Sequence, residues 1–188
     1  MRQYIIYDLE ATCWENEKNS NRINEVIEIG AVKLDEGLNQ TGTFQTFVKP
    51  TKNPALSDFC TGLTGIKQRD VDAAPYFTEA VYNFECWVYG GGADSILVSW
   101  GLYDKIQLLS ESYIKHYYGK IVHILKNRHR NLKKYFAKIR GVKRCGLEEA
   151  LKILGIPFGG THHRAIDDAI NTSEIFKTVF DEWNRLGI

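Results

Sequence analysis

The sequence is poor in the residues that mark several protein classes. It has four prolines and four cysteines in 188 residues, which excludes Pro-rich repeats and disulfide-dense scaffolds. The cysteines, Cys13, Cys60, Cys86 and Cys145, are widely spaced and form no C-x-x-C pair, so the spacing indicates neither a zinc site nor a disulfide framework. We therefore expect reduced thiols.

Long apolar runs are also missing. No stretch approaches the roughly 20 apolar residues that a membrane span needs. Asp8 and Glu10 interrupt the N-terminal segment, where a secretory signal requires a continuous apolar core. With 44% hydrophobic and 25% charged residues, the composition is that of an ordinary globular domain. We expect a single domain over residues 1–188, with no membrane partner and a cytoplasmic location.

Acidic residues are absent from one long segment, which we call the basic segment. From Lys115 to Arg144 the chain has eleven Lys or Arg and no Asp or Glu, which leaves 13 of the 24 basic residues against all 23 acidic ones. Such segregation indicates a place where a polyanion is held. A solvated helix face produces the same pattern, and both interpretations stay open at this point.

The N-terminal half has the pattern of strands. Three segments, QYIIYDLEAT, VIEIGAVKL and GTFQTFVKP, are β-branched and apolar. Gly37 and the cluster at 39–42 predict a turn between the last two, so we expect three antiparallel strands. A loop is expected from Pro50 to about Pro75, followed by an amphipathic helix and a fourth, buried strand, SILVSW.

Helical patterns dominate the C-terminal half. After a segment carrying Asp104, helices are expected around NLKKYFAKIR and GLEEALKILGI. A long terminal helix is indicated by apolar or small residues that share one face: Ile166, Ala169, Ile170, Ser173, Phe176, Phe180 and Trp183. Together these elements describe an α/β fold, with a mixed central sheet between helices.

Two acids stand in the first predicted strand. Asp8 and Glu10 are two residues apart, so both side chains point to the same face of the sheet. Paired carboxylates in a partly buried place repel each other unless a cation neutralises them, and oxygen ligands suit Mg²⁺ or Mn²⁺. An exposed strand end would explain an isolated pair equally well, but the preceding apolar residues 4–7 favour burial.

Further acids and two histidines follow later in the chain. Asp104 comes after a buried strand, where α/β sheets present functional groups, although a helix N-cap is an equally ordinary role for it. His163 and Asp168 are five residues apart at the start of the last helix, and His162 and Asp167 have the same spacing. An imidazole there can accept a proton near neutral pH. Four carboxylates and one histidine match the requirements of two-metal phosphoryl chemistry.

Three motifs carry a resemblance to a known family. DLEATCW at 8–14, SWGLYDKIQL at 99–108 and HHRAIDDAIN at 162–171 resemble the motifs of the DEDDh class of 3′-5′ exonucleases, and within it the Eri-type and KapD-type enzymes. The resemblance covers nearly the whole chain and implies the ribonuclease H-like fold. It implies that two divalent cations, Mg²⁺ or Mn²⁺, bind to Asp8, Glu10, Asp104 and Asp168. It also implies that His163 is the general base, because the family's H-x-A-x-x-D-A spacing fits His163 better than His162.

The resemblance also implies a reaction. One ion, held by Asp8 and Asp168, would bind the attacking water, and the other, nearer Glu10, would stabilise the leaving 3′ oxygen. The substrate would be single-stranded RNA or a 3′ overhang, and the products nucleoside 5′-monophosphates. A DNA exonuclease of the same class is an alternative, as is an RNA-binding regulator that does not cleave. Protein partners are left open.

Substrate contacts are expected at two places. In related enzymes the residues just after the two acids of the first motif, here Ala11 and Thr12, contact the terminal nucleotide. The LTGI loop, here Leu63, Thr64 and Ile66, lines the base in those enzymes. Packing would explain Leu63 and Ile66 equally well. The basic segment could follow the phosphates and stack the bases. The side chains expected to do so are Lys126, Arg128, Arg130, Lys133 and Lys134, with Tyr117, Tyr118 and Tyr135 between them.

Overall fold

A five-stranded mixed sheet forms the centre of the molecule. The computed structural model describes residues 2–15, 22–90, 92 and 94–185. The strands are β1 (Arg2–Ala11), β2 (Val26–Leu34), β3 (Gln40–Phe47), β4 (Asp94–Ser99) and β5 (His129–Asn131), in the order β3-β2-β1-β4-β5. The first three are antiparallel neighbours, whereas β4 runs parallel to β1 and β5 parallel to β4. The predicted mixed sheet with flanking helices is confirmed.

Helices connect the strands and cover both faces of the sheet. Within the described ranges they are α1 (Asp58–Thr64), α2 (Gln68–Asp72), α3 (Phe77–Tyr89), α4 (Tyr103–Ile114), α5 (Lys120–Asn127), α6 (Leu132–Arg140), α7 (Leu147–Leu154) and α8 (Ala165–Arg185). None of them is long and apolar enough to cross a bilayer.

The side chains of β1 alternate between the two faces of the sheet. This alternation contributes apolar residues to both core layers and determines the face on which Asp8 lies. Ile5 and Tyr7 pack on one face with residues of α3, α4 and α5. Tyr4 and Ile6 pack on the other face with residues of α6, α7 and α8. Since successive side chains of a strand alternate between faces, Asp8 continues the second series and lies on the α8 side of the sheet.

A glycine allows α8 to meet the sheet at the same place. Gly30 lies opposite Asp8 in the register of β1 and β2. A Cβ atom at Gly30 would overlap the backbone of Ala165 and Ile166. The first turn of α8 therefore touches β2 directly, and the absence of a side chain at Gly30 sets how close this helix comes to Asp8.

The prediction of a loop from Pro50 to about Pro75 is wrong for the middle of this range, which contains α1 and α2. These helices have seven and five residues, too few for an apolar period to be visible. Caps hold α1 instead: the Ser57 hydroxyl accepts the Cys60 N–H at 3.0 Å, and Gly65 ends the helix at φ 70°. Leu63 and Thr64 consequently lie in a helix.

The structure differs from the sequence prediction at two further places. β3 begins at Gln40, inside the cluster expected to form the turn. The basic segment contains α5 and the three-residue strand β5 as well as α6. β5 is too short to show a period of two, and its pairing with β4 over Leu97 to Ser99 defines it.

Gly30→Ala should destabilise the protein by about 1 to 3 kcal/mol, because the added methyl group collides with rigid backbone. The free energy of unfolding, measured in urea, checks this expectation. Gly62→Ala is the matched control, because a Cβ at Gly62 in α1 has no atom within 4 Å. That change should alter stability by about 1 kcal/mol or less, in the stabilising direction. Equal effects of the two substitutions would contradict the close approach of α8.

Candidate active site

One cavity brings the predicted catalytic residues together. Its volume is about 310 Å³. The residues that line it include all four predicted acids and one of the two candidate histidines: Asp8, Leu9, Glu10, Trp100, Gly101, Tyr103, Asp104, Lys133, His163 and Asp168. Side chains separated by up to 160 positions in the chain thus share a single site, as the motifs led us to expect.

Each acid reaches the cavity from the end of an element. Asp8 and Glu10 lie near the C-terminal end of β1. Asp104 stands in the first turn of α4, directly after β4, the parallel neighbour of β1. Asp168 stands in the first turn of α8, which rests on β2. The ends of these elements meet on one side of the sheet, and together they form the site.

The two histidines have different surroundings. His163 offers a ring nitrogen to a group with Glu10 and Asp168 in which the three ligand atoms lie within 4.8 Å of one another. His162 is exposed and stacks on Phe158, with ring centroids 3.6 Å apart. His163 is therefore the histidine that lines the cavity and lies within reach of Glu10 and Asp168, whereas His162 acts on Asp168 through its charge, which lowers the pKa of that acid.

Burial and mutual repulsion raise the pKa values of the acids. Burial, followed by repulsion from Asp104 and Glu10, raises the pKa of Asp8 well above its usual value. Burial and the Asp168 charge raise the pKa of Glu10 to about 8. Burial also raises the pKa of Asp104 to about 6 and that of Asp168 to about 6. These raised pKa values show that negative charge is unfavourable here, so a bound cation would lower them and favour the ionised acids.

The imidazole is shifted in the opposite direction. Partial burial of the ring, helped by the neighbouring His162, lowers the pKa of His163 from its ordinary value. A histidine with a lowered pKa is neutral at pH 7 and has a free nitrogen lone pair. His163 is thus in the protonation state that a general base requires.

The donor set fits a divalent cation. Oδ1 of Asp168 is buried and has no hydrogen-bond partner among the described residues, which is unusual for a carboxylate oxygen away from solvent. Carboxylate oxygens are the protein ligands that suit Mg²⁺ and Mn²⁺. A cation at this place would give the unpartnered oxygen a ligand role and neutralise the repelling charges.

The residues expected around the terminal nucleotide lie close to β1, but most are buried. Ala11 is the last residue of β1, and the Thr12 hydroxyl accepts the Glu25 N–H at 2.9 Å. Thr64 donates its hydroxyl to the Cys60 carbonyl at 2.9 Å. Ile66 is fully buried in a small core cluster. Of the three predicted contact residues in the LTGI segment, Leu63, at 39% exposed, is the one with free surface.

The predicted substrate-binding cations are separated by the fold. Lys133 forms part of the cavity wall. Arg128 forms an ion pair with Asp94, which begins β4 at the end remote from Asp104 and lines a second, open groove of about 520 Å³. Arg130 donates from Nη1 to the His129 carbonyl at 3.3 Å. Lys133 is therefore the one of these three that the structure brings to the acids.

Part of the basic segment is neutralised within the molecule. Lys115 pairs with Glu25 at 2.9 Å, and Arg140 approaches Glu182 at 3.7 Å. The tyrosines also divide: Tyr118 is 67% exposed, whereas Tyr135 stacks on Trp183. The segregation of charge along the sequence is thus greater than the segregation of free charge on the surface.

Sequence analysis did not single out several residues of the cavity wall. Trp100 and Tyr103 line it, together with Leu9 and Gly101. The sequence feature that could have identified them is their position within the motifs. Leu9 separates the two acids of β1, and the others precede Asp104 in SWGLYD. Trp100 is also fixed from behind, because its ring packs on Phe136 with centroids 5.6 Å apart.

Comparison with known proteins identifies relatives over almost the whole chain. The family model described as Exonuclease (RNase_T) matches residues 5–176. The 3′-5′ exonuclease eri1 of Schizosaccharomyces pombe is 29% identical over 209 residues, which cover 97% of this chain and 69% of that protein. The ERI1 exoribonuclease 2 of Xenopus laevis is 32% identical over 91% of this chain, but this chain spans only 27% of that protein's length.

A solved structure has the same architecture. It is the nuclease domain of 3′hExo, a DEDDh family member bound to rAMP, which is 28% identical and superimposes with a TM-score of 0.85. The match covers 96% of this chain and 92% of that domain. The DEDDh class implies divalent metal ions, in agreement with the donor set of the cavity.

The metal-free protein should lose stability as the pH rises. The folded-state pKa of Glu10 is about 8 against an ordinary 4.5, so folding holds a proton that the unfolded chain releases, and the carboxyl increasingly opposes folding from pH 4.5 to about 8. Glu10→Gln should therefore raise the free energy of unfolding at pH 8 in EDTA by about 0.5 to 2 kcal/mol. Urea titrations at pH 6 and pH 8 measure both effects.

The control is Asp181→Asn, which removes an exposed carboxylate of α8. It should leave the difference in stability between pH 6 and pH 8 as in the unmodified protein. If Glu10→Gln also left that difference unchanged, charge repulsion at Glu10 would not be what limits the stability of the metal-free site.

Proposed function

Because the chain belongs to the RNase_T exonuclease family, in its DEDDh class and of the Eri type, we propose that it is a metal-dependent 3′-5′ exonuclease. It hydrolyses single-stranded RNA or 3′ overhangs and releases nucleoside 5′-monophosphates. The observation that carries this proposal is the convergence of four acids and one neutral imidazole in a single cavity.

The cofactors proposed are two divalent cations, Mg²⁺ or Mn²⁺. Bound cations would act as Lewis acids that neutralise phosphate charge and make water more acidic. The acids that would hold them are Asp8, Glu10, Asp104 and Asp168, whose raised pKa values mark a site that gains from positive charge. The unpartnered Oδ1 of Asp168 supports a ligand role for that residue in particular.

The side chains of the cavity have separate tasks in the proposed reaction. His163 takes a proton from the attacking water, for which its lowered pKa prepares it. The water oxygen then bonds to phosphorus, the bond between phosphorus and the 3′ oxygen of the preceding nucleotide breaks, and that oxygen takes a proton from solvent water to become a 3′ hydroxyl. Lys133, in the cavity wall, supplies a positive charge that can attract a phosphate of the strand.

RNA is proposed as the substrate ahead of DNA. The support comes from relatives, since the matched frog protein is named an exoribonuclease and the matched nuclease domain holds rAMP. Ala11, Thr12 and Leu63 are proposed to lie beside the terminal nucleotide because they are near the end of β1 and, in the case of Leu63, exposed. A non-cleaving RNA-binding role would retain the same acids without a use for the imidazole.

The proposal is tested with matched RNA and DNA oligonucleotides labelled either at the 5′ end or at the 3′ end, incubated with Mg²⁺, Mn²⁺ or EDTA. A ladder that shortens from the 3′ end of RNA, releases nucleoside 5′-monophosphates and requires the metal is the expected result. Asp8→Ala should remove the activity, whereas Asp181→Asn should retain it. Faster cleavage of DNA would favour the DNA alternative, and binding without cleavage would favour the regulator.

The two histidines should differ in their contribution to the rate. His163→Ala should lower kcat by about 10² to 10⁴, the usual contribution of a general base. His162→Ala is the matched control, because its ring stacks on Phe158 outside the acid group, and kcat should stay within about two-fold. Single-turnover rates at saturating enzyme measure the chemical step directly. The reverse ranking would transfer the base role to His162.

A further inference from the structure

A fifth carboxylate is buried beside the acid cluster. Glu28 is the third residue of β2 and lies opposite Glu10 in the antiparallel register, and residues opposite each other in such a pair point to the same face. Its side chain is 0% exposed. A carboxylate in that position needs a compensating partner, because burial of an unpaired charge is strongly unfavourable.

The partners of Glu28 come mainly from the chain that leads into α8. Arg164 donates from Nε to Oε2 at 3.1 Å and from Nη2 to Oε1 at 3.0 Å. The Ala165 N–H donates to Oε2 at 3.1 Å, and Gln45 donates to Oε1 at 2.6 Å. Each carboxylate oxygen therefore accepts two hydrogen bonds, which makes Glu28 unavailable as a cation ligand.

The residue that precedes this clamp is His163. Its backbone has φ 59°, in the left-handed region that non-glycine residues adopt only when neighbouring structure holds them there. On the other side, the carboxylate of Asp167 accepts the Thr161 N–H at 2.8 Å. The backbone around His163 is thus tied at both ends, by Glu28 after it and by Asp167 before it.

Charge supports the same conclusion. The Arg164 guanidinium lies over the Phe47 ring, 5.3 Å from its centroid, and hydrogen bonding to Glu28 raises the pKa of Arg164. Without Arg164, the cavity would gain an uncompensated negative charge at the position opposite Glu10.

We propose that Glu28 and Arg164 form a positioning pair that holds His163 toward Glu10 and Asp168 and keeps Glu28 out of the metal-binding acid set. The inference rests on the proposed function, because positioning is defined by the reaction of His163. Neither residue touches the substrate in this proposal. They act through the backbone of the segment from His163 to Ala165.

The test uses Arg164→Met, Glu28→Gln and the double variant, with Lys177→Met as control because it breaks a partly exposed ion pair with Glu174 within α8. Three quantities are measured: kcat and KM on a 5′-labelled RNA, the midpoint of thermal unfolding, and the hydrogen exchange rate of the Ala165 amide. The exchange rate reports on the hydrogen bond from the Ala165 amide to Glu28, and this measurement does not depend on enzymatic activity.

Both single variants should lower kcat by about 10- to 100-fold, as removal of groups that orient catalytic ligands does, and change KM by less than three-fold. Exchange at Ala165 should accelerate in both. Arg164→Met should unfold at a lower temperature than the unmodified protein, because Glu28 is left unpaired. The double variant should regain most of this thermal stability but keep the low kcat.

A merely structural pair would behave differently, because kcat would then recover together with stability in the double variant. That result, or an unchanged kcat in either single variant, would overturn the positioning role. If Arg164→Met does not fold, the nearly isosteric Glu28→Gln decides alone by the same criteria. An unmodified protein that does not cleave would overturn the proposed function, and this inference with it, whereas slow exchange at Ala165 would still establish the clamp.

Discussion

Repulsion among carboxylates is the interaction on which the rest of this structure depends. Asp8, Glu10, Asp104 and Asp168 line one small cavity, and their raised pKa values measure how unfavourable it is to charge them together. The fold tolerates the cluster because the elements that carry it are fixed elsewhere. The apolar residues of β1 anchor two of the acids in both core layers, and α8 is held against the sheet by its contact at Gly30.

Features with a long, regular pattern could be predicted from the sequence. β2 has the bounds of its apolar run. The prediction for α8 is confirmed in part, because Ala169, Ser173, Phe176 and Trp183 are buried as expected but the buried face also includes Ile175 and Val179. Motif spacing predicts the four acids and His163 as site residues, and the fold brings these side chains into one cavity. The family's spacing favours His163 over His162, although both have an acid five residues later, and the coordinates add a difference in backbone conformation and the stack of His162 on Phe158.

Features that depend on a distant partner could not be predicted. Arg128 reads as a phosphate ligand in the basic segment, but its side chain meets Asp94, 34 residues earlier. Ile66 reads as part of a base-binding loop, but it packs with Ile27 and Val71. Short elements such as α2 and β5 arise from capping and strand pairing rather than from periodicity. In each case the contact that decides the outcome joins two different elements, and the local sequence pattern does not indicate it.

The distribution of positive charge has a consequence for how a polyanion could enter an acidic cavity. Lys133 is the basic residue in the cavity wall apart from His163, and it cannot by itself offset four carboxylates. A cation bound to the acids reverses the sign of the local field, so metal and strand should bind with positive coupling. Because the metal binds the folded chain, it also stabilises the fold by mass action. Folding stability, metal affinity and strand binding are thus linked through the same four side chains, and a change that relieves their repulsion weakens the other two.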